Sequence, residues 1–418
     1  MIKKRIGGAV TVLAVSALAL TACSTPDASG DGGKTELSML VNVTPNLTEE
    51  WWNDLVAPFE EANPDIDVTI QNPGQEGVKA AVPRLLAAGD APDIVQSLPP
   101  TVDLAPELVD LSEFEWATDG PLAEQYAIEG ATYMAGIGLQ LQSLWFYNVQ
   151  AFADAGITEP PATVEELEED LAALKDAGWT PIQTGGDWMS SHALQTLALP
   201  SVISENPDWF VEMTAGDLTF SDTYGDAVDR YADWIAKGYV NADALGVKYP
   251  DAEQSFLTGK AALYPMGSWF AGTEAKTPDA VEIGVFRGPA VEGVENPAMG
   301  ATIASPYLLM KSSESQDAAA RLVEYLVTDE AAVTEQLKVD GNFREGFDYE
   351  MTDLGAQLME IVAEVPASDY TPAGEGYGER VLPGGYSTEL NTQTQSLLSG
   401  VGASEVETAM DDWFARAR

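Results

Sequence analysis

The sequence predicts an α/β fold built mainly from parallel sheets that are flanked by helices. Short apolar runs alternate with amphipathic helical stripes along most of the chain, which is the pattern of strand–helix–strand units. Glycine residues follow several of the stripes, where a helix is expected to end. The 418 residues suffice for two domains, and a hydrophobic content of 45% fits a globular protein.

The first units lie before residue 96. The apolar run from Leu37 to Val43 is typical of a buried strand. Thr48 is a suitable cap for a helix whose interior Pro58 is expected to kink it. The helix is predicted to bury Trp52, Leu55, Val56 and Phe59, and the strand after it Ile66, Val68 and Ile70. The next helix is predicted to bury Val78, Val82, Leu85 and Leu86, and the third strand Ile94 and Val95.

The same alternation continues to the end of the chain. Thr163 and Glu166 have the spacing of a capping box, which predicts a helix that Gly178 closes. The other predicted elements are an extended run from Leu139 to Tyr147, a strand from Ala261 to Tyr264, helices over Asp317–Val327 and Ala331–Leu337, and a last helix that starts at Ser404.

The N-terminal residues have the pattern of an export signal. Basic residues precede an apolar stretch that ends in Leu20-Thr21-Ala22-Cys23, and this ending resembles a lipobox, in which the cysteine is lipidated. We expect residues 1–22 to be a lipoprotein signal peptide and residues 23–34 a lipidated, flexible tether. The apolar stretch is too short for a transmembrane helix, and ordinary secretion remains the alternative.

Charge and residue usage exclude several functions. With 20 basic and 67 acidic residues, the net charge is −47, which disfavours nucleic acid and anionic lipid headgroups as partners. Cys23 is the only cysteine and His192 the only histidine. Thiol catalysis, Cys/His zinc sites and Ser–His–Asp triads are therefore excluded, and no cofactor or metal is expected. His192 is interpreted as a hydrogen-bonding or surface residue.

Several segments of the chain form a series of short motifs. They are residues 59–68 (FEEANPDIDV), 88–95 (AGDAPDIV), 144–148 (LWFYN), 160–167 (PPATVEEL), 256–263 (FLTGKAAL) and 266–269 (MGSW). Each segment alone is weakly specific, but together they extend over nearly the whole chain after Cys23. In this order they resemble the extracellular solute-binding proteins of carbohydrate ABC importers, the maltose-binding-like group.

The resemblance implies a two-lobed periplasmic-binding-protein fold (type II) with three inter-lobe crossings and a sugar held between the lobes. Lobe one is expected to comprise residues 35–142 plus 301–339, and lobe two residues 143–300 plus 340–418. The implied function is capture of a mono- or oligosaccharide and its delivery to ABC permease membrane subunits. The expected protein is a monomer on the outer face of the cell membrane, anchored by the lipid on Cys23.

Candidate sugar-binding residues come from two arguments. The resemblance implies that Trp269 stacks on the sugar, that Asp187 and Trp188 lie in the cleft, and that Tyr386 is near a family aromatic position. Loops after strand C-termini bind ligands in open α/β sheets. This rule and the first inter-lobe crossing nominate Asn46, Ser97 and Gln142.

Two observations bear on the ligand and on the alternatives. The first loop lacks the acid–lysine pair of a maltodextrin binder, so the ligand is not expected to be maltose itself. An exported glycoside hydrolase would use two carboxylates, but acidic pairs occur throughout this sequence and do not indicate one. A binding protein for a peptide or another polar solute is the third possibility.

Overall fold

The computed structural model describes residues 34–74, 77–294, 299–347, 349–364, 370–372 and 376–417. The predicted signal peptide, Cys23 and the tether before Lys34 lie outside these residues. Within the described part of the chain, no helix combines the length and the apolar character needed to cross a membrane.

The strands of the described residues are short. In chain order they are β1 (Thr35–Leu40), β2 (Ile66–Gln71), β3 (Ile94–Gln96), β4 (Gly138–Leu141), β5 (Leu144–Asn148), β6 (Thr180–Ile182), β7 (Ala261–Met266), β8 (Ile283–Arg287), β9 (Met299–Ala304), β10 (Tyr307–Leu309), β11 (Tyr370–Pro372), β12 (Gly376–Tyr377) and β13 (Arg380–Val381).

Helices surround these strands. In chain order they are α1 (Glu49–Ala62), α2 (Gly77–Ala88), α3 (Glu115–Thr118), α4 (Val149–Ala155), α5 (Val164–Asp176), α6 (Met189–Glu205), α7 (Trp209–Ala215), α8 (Phe220–Ala236), α9 (Tyr249–Leu257), α10 (Phe270–Ala275), α11 (Gln316–Thr328), α12 (Glu330–Val339), α13 (Asp353–Glu364), α14 (Tyr386–Leu398) and α15 (Ala403–Ala417).

The sheet of lobe one has the strand order β10-β3-β1-β2. Strand β1 runs parallel to β2 and β3, and β10 adds an antiparallel edge. Helix α1 buries the four predicted apolar residues against this sheet and continues through Pro58 to Ala62. Its N-cap is Thr48, whose side chain accepts a hydrogen bond from the Trp51 amide. The predicted strands and helices of this region are therefore confirmed, but Ile70, Leu85 and Leu86, which the sequence predicts to be buried, are only partly buried.

The sheet of lobe two has the order β6-β7-β5-β8. Strand β6 is parallel to β7, whereas β5 is antiparallel to both β7 and β8. The α/β class is confirmed, and the correction is that the sheets are mixed. The reason is that β5 enters this sheet directly from β4, and only a parallel pair needs a helical crossover. The capping box of Thr163 and Glu166 is present at the start of α5, as predicted.

Three chain segments meet where the lobes join: strand β4, strand β9 and the segment that contains Phe343. Strand β4 pairs antiparallel with β9, and Leu139 exchanges backbone hydrogen bonds with Phe343. The buried hydrophobic clusters divide on either side of these segments: residues 37–137 with 303–339, and residues 141–290 with 343–414. We propose the predicted lobe boundaries on this basis. The predicted extended run is two strands, because the chain bends at Ser143, where φ is 59°.

Candidate functional site

A cavity of about 770 Å³ lies between the lobes. Its volume is within the range of small-molecule binding sites. Lobe one contributes Ser97 and the loop that follows it, the first crossing contributes Gln140 and Gln142, and lobe two contributes α6 and the segment before α14. The cavity therefore brings together all the parts that a ligand held between two lobes would contact.

Helix α6 forms one polar wall of the cavity. His192, Gln195, Thr196 and Leu199 line it, and their spacing of three, four and seven residues places them on one face of the helix. Ser143 lies beside this wall. The wall presents hydroxyl, amide and imidazole groups, which are suited to ligand hydroxyl groups.

Two candidate residues, Ser97 and Gln142, line the cavity, and their contact with a sugar stays a prediction. Ser97 follows β3 with φ of 64°, and its amide donates to the Pro306 carbonyl. Gln142 follows β4, and its amide donates to the Gly300 carbonyl. Both backbones are fixed by these bonds, so the side chains are held at the cavity surface by rigid segments.

Trp188 and Trp269 form an aromatic cluster next to the cavity. Their ring centroids are 6.2 Å apart, and each ring lies within 6 Å of the His192 ring, at 5.6 and 5.7 Å. Trp188 is 40% exposed, whereas Trp269 is half-buried. The Trp269 ring lies over Gly267, where a Cβ atom would be 1.9 Å from Trp269 Cζ3. Glycine at that position therefore makes the ring orientation possible.

Asp187 has a structural task that the sequence did not reveal. Its Oδ1 accepts from the Met189 amide at 3.2 Å, and its Oδ2 accepts from the Tyr249 amide at 2.9 Å. The carboxylate thus fixes the start of α6 against the start of α9. Among the described residues, the cavity wall does not include Asp187. Trp188 and Trp269 are likewise absent from the described wall, so a sugar contact at Asp187, as at these two residues, stays a prediction.

Asn46 contacts the other lobe. Its Nδ2 donates to the Trp269 carbonyl at 3.3 Å, and its Oδ1 accepts from the Thr273 hydroxyl at 3.1 Å. Lys276 Nζ donates to the Asn46 carbonyl at 3.1 Å. Asn46 therefore binds helix α10 and its flanks, not the described wall of the cavity.

Tyr386 is a core residue of lobe two. It is fully buried and packs against Trp413 and Phe414 at the first turn of α14. Its neighbours Gly385 and Ser387 line the cavity. The predicted contact with a sugar is corrected, because the Tyr386 ring fills the space between α14 and α15.

Two buried carboxyl groups lie near the inter-lobe contact. Burial raises the pKa of Asp340 to about 7, although the side-chain amides of Asn46, Asn342 and Gln140 and the charge of Lys276 act in the opposite direction. Burial also raises the pKa of Glu253 to about 7, against the effect of the neighbouring hydroxyl groups of Tyr249 and Thr273. Gln140 Nε2 donates to Asp340 Oδ2 at 3.2 Å. These groups form a polar cluster that joins the crossing segments.

His192 is the residue that the sequence argument missed. It is 8% exposed, and burial lowers the pKa of its imidazole to about 4, so the ring is neutral at pH 7. Helix α6 buries nearly all of its residues. Its sequence therefore lacks the alternation of apolar and polar faces from which the position of His192 on the helix could have been predicted. Within the described ranges, no cluster of His, Cys, Asp and Glu is arranged to hold a metal ion.

The chain belongs to the family of bacterial extracellular solute-binding proteins, whose family model matches residues 44–333. An osmoprotective compounds-binding protein of Synechocystis sp. is 26% identical over 310 residues, covering 68% of this chain and 71% of that protein. A xylose/arabinose-binding protein of Haloferax volcanii is 23% identical over 269 residues, covering 58% and 56%.

Solved structures share the fold. A chitin oligosaccharide binding protein superposes with a TM-score of 0.79 at 21% identity, covering 92% of this chain and 99% of that one. A sugar transporter protein from Bacillus licheniformis in complex with stachyose gives a TM-score of 0.76 at 19% identity, covering 92% and 100%. The two-lobed solute-binding architecture is therefore confirmed.

Proposed function

We propose that this protein is the extracytoplasmic substrate-binding component of a carbohydrate ABC importer. It captures a mono- or oligosaccharide between its lobes and delivers the sugar to the permease. The observation that carries the proposal is the inter-lobe cavity, whose α6 wall offers uncharged hydrogen-bonding groups beside an aromatic cluster. The known ligands of similar structures, chitin oligosaccharide and stachyose, support the same class of ligand.

The cavity fits the two kinds of surface that a sugar presents. Leu98, Pro100 and Leu199 supply apolar wall for the C–H faces of the ring. Gln142 and Gln195 supply amides that donate to and accept from hydroxyl groups. Each buried hydroxyl needs such a partner, because an unpaired buried polar group is costly. Ligand affinity then depends on closing the lobes around the sugar.

A binding role is favoured over glycoside hydrolysis by the position of the acidic groups. A glycosidase needs two carboxyl groups that flank the scissile bond. Of the described lining residues, Asp103 is the only one that carries a carboxylate, and it is exposed at the surface. Asp187 is already held by two backbone amides.

The proposal extends to the cellular setting. The lipid on Cys23 holds the protein on the outer face of the membrane, and the tether up to Lys34 lets the two lobes reach the permease subunits. A monomer is sufficient for this role, because the cavity is built from one chain. A small polar solute is the second candidate ligand, because one relative is an osmoprotective compounds-binding protein.

The test is a ligand panel read by thermal unfolding. A ligand that binds only the folded state raises the melting temperature, so raffinose, stachyose, xylobiose, diacetylchitobiose and arabinose are compared at millimolar concentration with glycine betaine. We expect a sugar to raise the melting temperature and to be recovered unchanged by chromatography. A shift with glycine betaine alone would favour the second candidate, and cleavage of a glycosidic bond would overturn the binding role.

A further inference from the structure

We propose that His192 is a specificity-determining residue of the cleft, which hydrogen-bonds a hydroxyl group of an uncharged sugar through its neutral imidazole. This inference rests on the proposed carbohydrate-binding function. Beyond that function, we infer that His192 is the residue of the α6 wall that distinguishes a ligand hydroxyl group from a charged ligand group.

The first observation is the concentration of unpartnered polar atoms at this wall. His192 Nε2, Thr196 Oγ1 and Ser143 Oγ are buried, and none has a hydrogen-bond partner among the described residues. All three residues line the cavity. Such an atom normally costs about 1–3 kcal/mol of folding free energy, and a ligand hydroxyl group at this wall would offset part of that cost by supplying a missing partner.

The second observation is the way in which the imidazole is held. The rings of Trp188 and Trp269 lie at 75° and 56° to it, and this packing restricts its rotation. A fixed imidazole selects a ligand group by position, as expected of a residue that sets specificity.

The third observation concerns charge. Burial is the cause of the low pKa of His192, and the side chains of the described wall that carry a charge at pH 7 are Lys79 and Asp103, both exposed. A neutral imidazole has one donor and one acceptor nitrogen, and a hydroxyl group satisfies either one. A sugar carboxylate would find no cation beside His192.

The single histidine of the chain makes a direct test possible. The imidazole of the full-length protein without its signal peptide gives one set of ring resonances in NMR. These are followed while raffinose, stachyose, xylobiose and diacetylchitobiose are added at pH 7, and binding is measured in parallel by calorimetry. We expect the binding sugar to shift the ring resonances with the same midpoint as the calorimetric isotherm.

Two variants separate hydrogen bonding from packing. His192→Phe keeps a ring between the tryptophans but has no polar atom, and His192→Gln keeps a donor and an acceptor. We expect His192→Phe to weaken affinity for the binding sugar at least tenfold and His192→Gln to weaken it less. The corresponding uronic acid is expected to bind the unaltered protein at least tenfold more weakly than the neutral sugar.

The outcomes are distinguishable. A sugar that binds by calorimetry but leaves the ring resonances unmoved would overturn the role of His192 while the proposed function stands. If no sugar of the panel binds, the proposed function fails and the inference fails with it. The NMR measurement does not depend on either variant folding.

Discussion

Asn46 and Trp269 connect the two lobes through a hydrogen bond of 3.3 Å from the Asn46 side-chain amide to the Trp269 backbone carbonyl. The Thr273 hydroxyl and the Lys276 ammonium add bonds of 3.1 Å to the same asparagine. Asn46 follows the first strand of lobe one, whereas its partners are in and around α10. We therefore expect these contacts to form when the lobes close and to be lost when they open.

The Asn46→Ala variant tests this contact. It removes two side-chain hydrogen bonds of the closed form, each of which contributes about 1 kcal/mol. We expect sugar affinity to weaken by roughly 5- to 30-fold, with little change in the melting temperature of the ligand-free protein. Thr273→Val is the matched control, because it removes one of the bonds and should have a smaller effect. Equal affinities for Asn46→Ala and the unaltered protein would contradict the assignment.

Trp269→Ala tests the aromatic cluster. We expect at least a tenfold loss of sugar affinity, about 1.4 kcal/mol, because the half-buried ring packs beside His192 at the cavity. The fold should survive, since Trp269 is only half-buried. Trp188→Ala is the comparison, as its ring is more exposed. An unchanged calorimetric isotherm for Trp269→Ala would remove this residue from the site.

The sequence allowed the elements to be predicted better than the site. The apolar spacing of Trp52, Leu55, Val56 and Phe59 predicts the buried face of α1 because helical periodicity is local. The direction of a loop side chain depends on distant partners. Asp187 turns to the Tyr249 amide, which is far away in the sequence, and Tyr386 turns into a core completed by Phe414.

Strand topology locates a candidate binding loop but does not fix where its side chains point. Asn46, Ser97 and Gln142 all follow strands, as the rule for open sheets requires. Ser97 and Gln142 line the cavity, whereas Asn46 bonds to the facing lobe. The rule locates a loop at the correct edge of a sheet, but the position of the second lobe decides which side chain meets ligand and which meets protein.

Asp340→Asn is expected to change the pH dependence of stability. Burial raises the Asp340 pKa from 3.8 to about 7, so the folded protein keeps a proton that the unfolded chain releases. This group therefore makes stability fall as the pH rises from about 4 to about 7, by an upper estimate of roughly 4 kcal/mol. The variant should lose part of this slope in urea unfolding at pH 5, 6, 7 and 8.

A residual slope is expected in Asp340→Asn, because burial raises the pKa of Glu253 to about 7 as well. Asp103→Asn, at the exposed edge of the cavity, is the control and should keep the full slope. An Asp340→Asn protein with the same pH profile as the unaltered protein would show that this carboxyl titrates as in the unfolded chain.

His192 acts on stability in the opposite direction. Burial lowers its pKa from 6.5 to about 4, so the folded protein excludes a proton that the unfolded chain binds. Its contribution is fully present above pH 6.5 and is lost as the pH falls through about 4, by roughly 3 kcal/mol. In His192→Gln, unfolding free energies between pH 4 and 7 should lack this loss. An NMR titration that gives an imidazole pKa near 6.5 would contradict the prediction.

Cys23→Ala tests the proposed membrane anchor. Cys23 follows Leu20-Thr21-Ala22, and a lipidated cysteine at this position would hold a body that is otherwise strongly acidic and repelled by anionic lipid. In cells with an intact envelope, we expect the variant to leave the membrane fraction, whereas the control Ser24→Ala stays there. The released protein should bind sugar with unchanged affinity, because the tether ends at Lys34 and the cavity is lined by residues from Lys79 onward. Retention of Cys23→Ala in washed membranes would instead indicate attachment through another part of the chain.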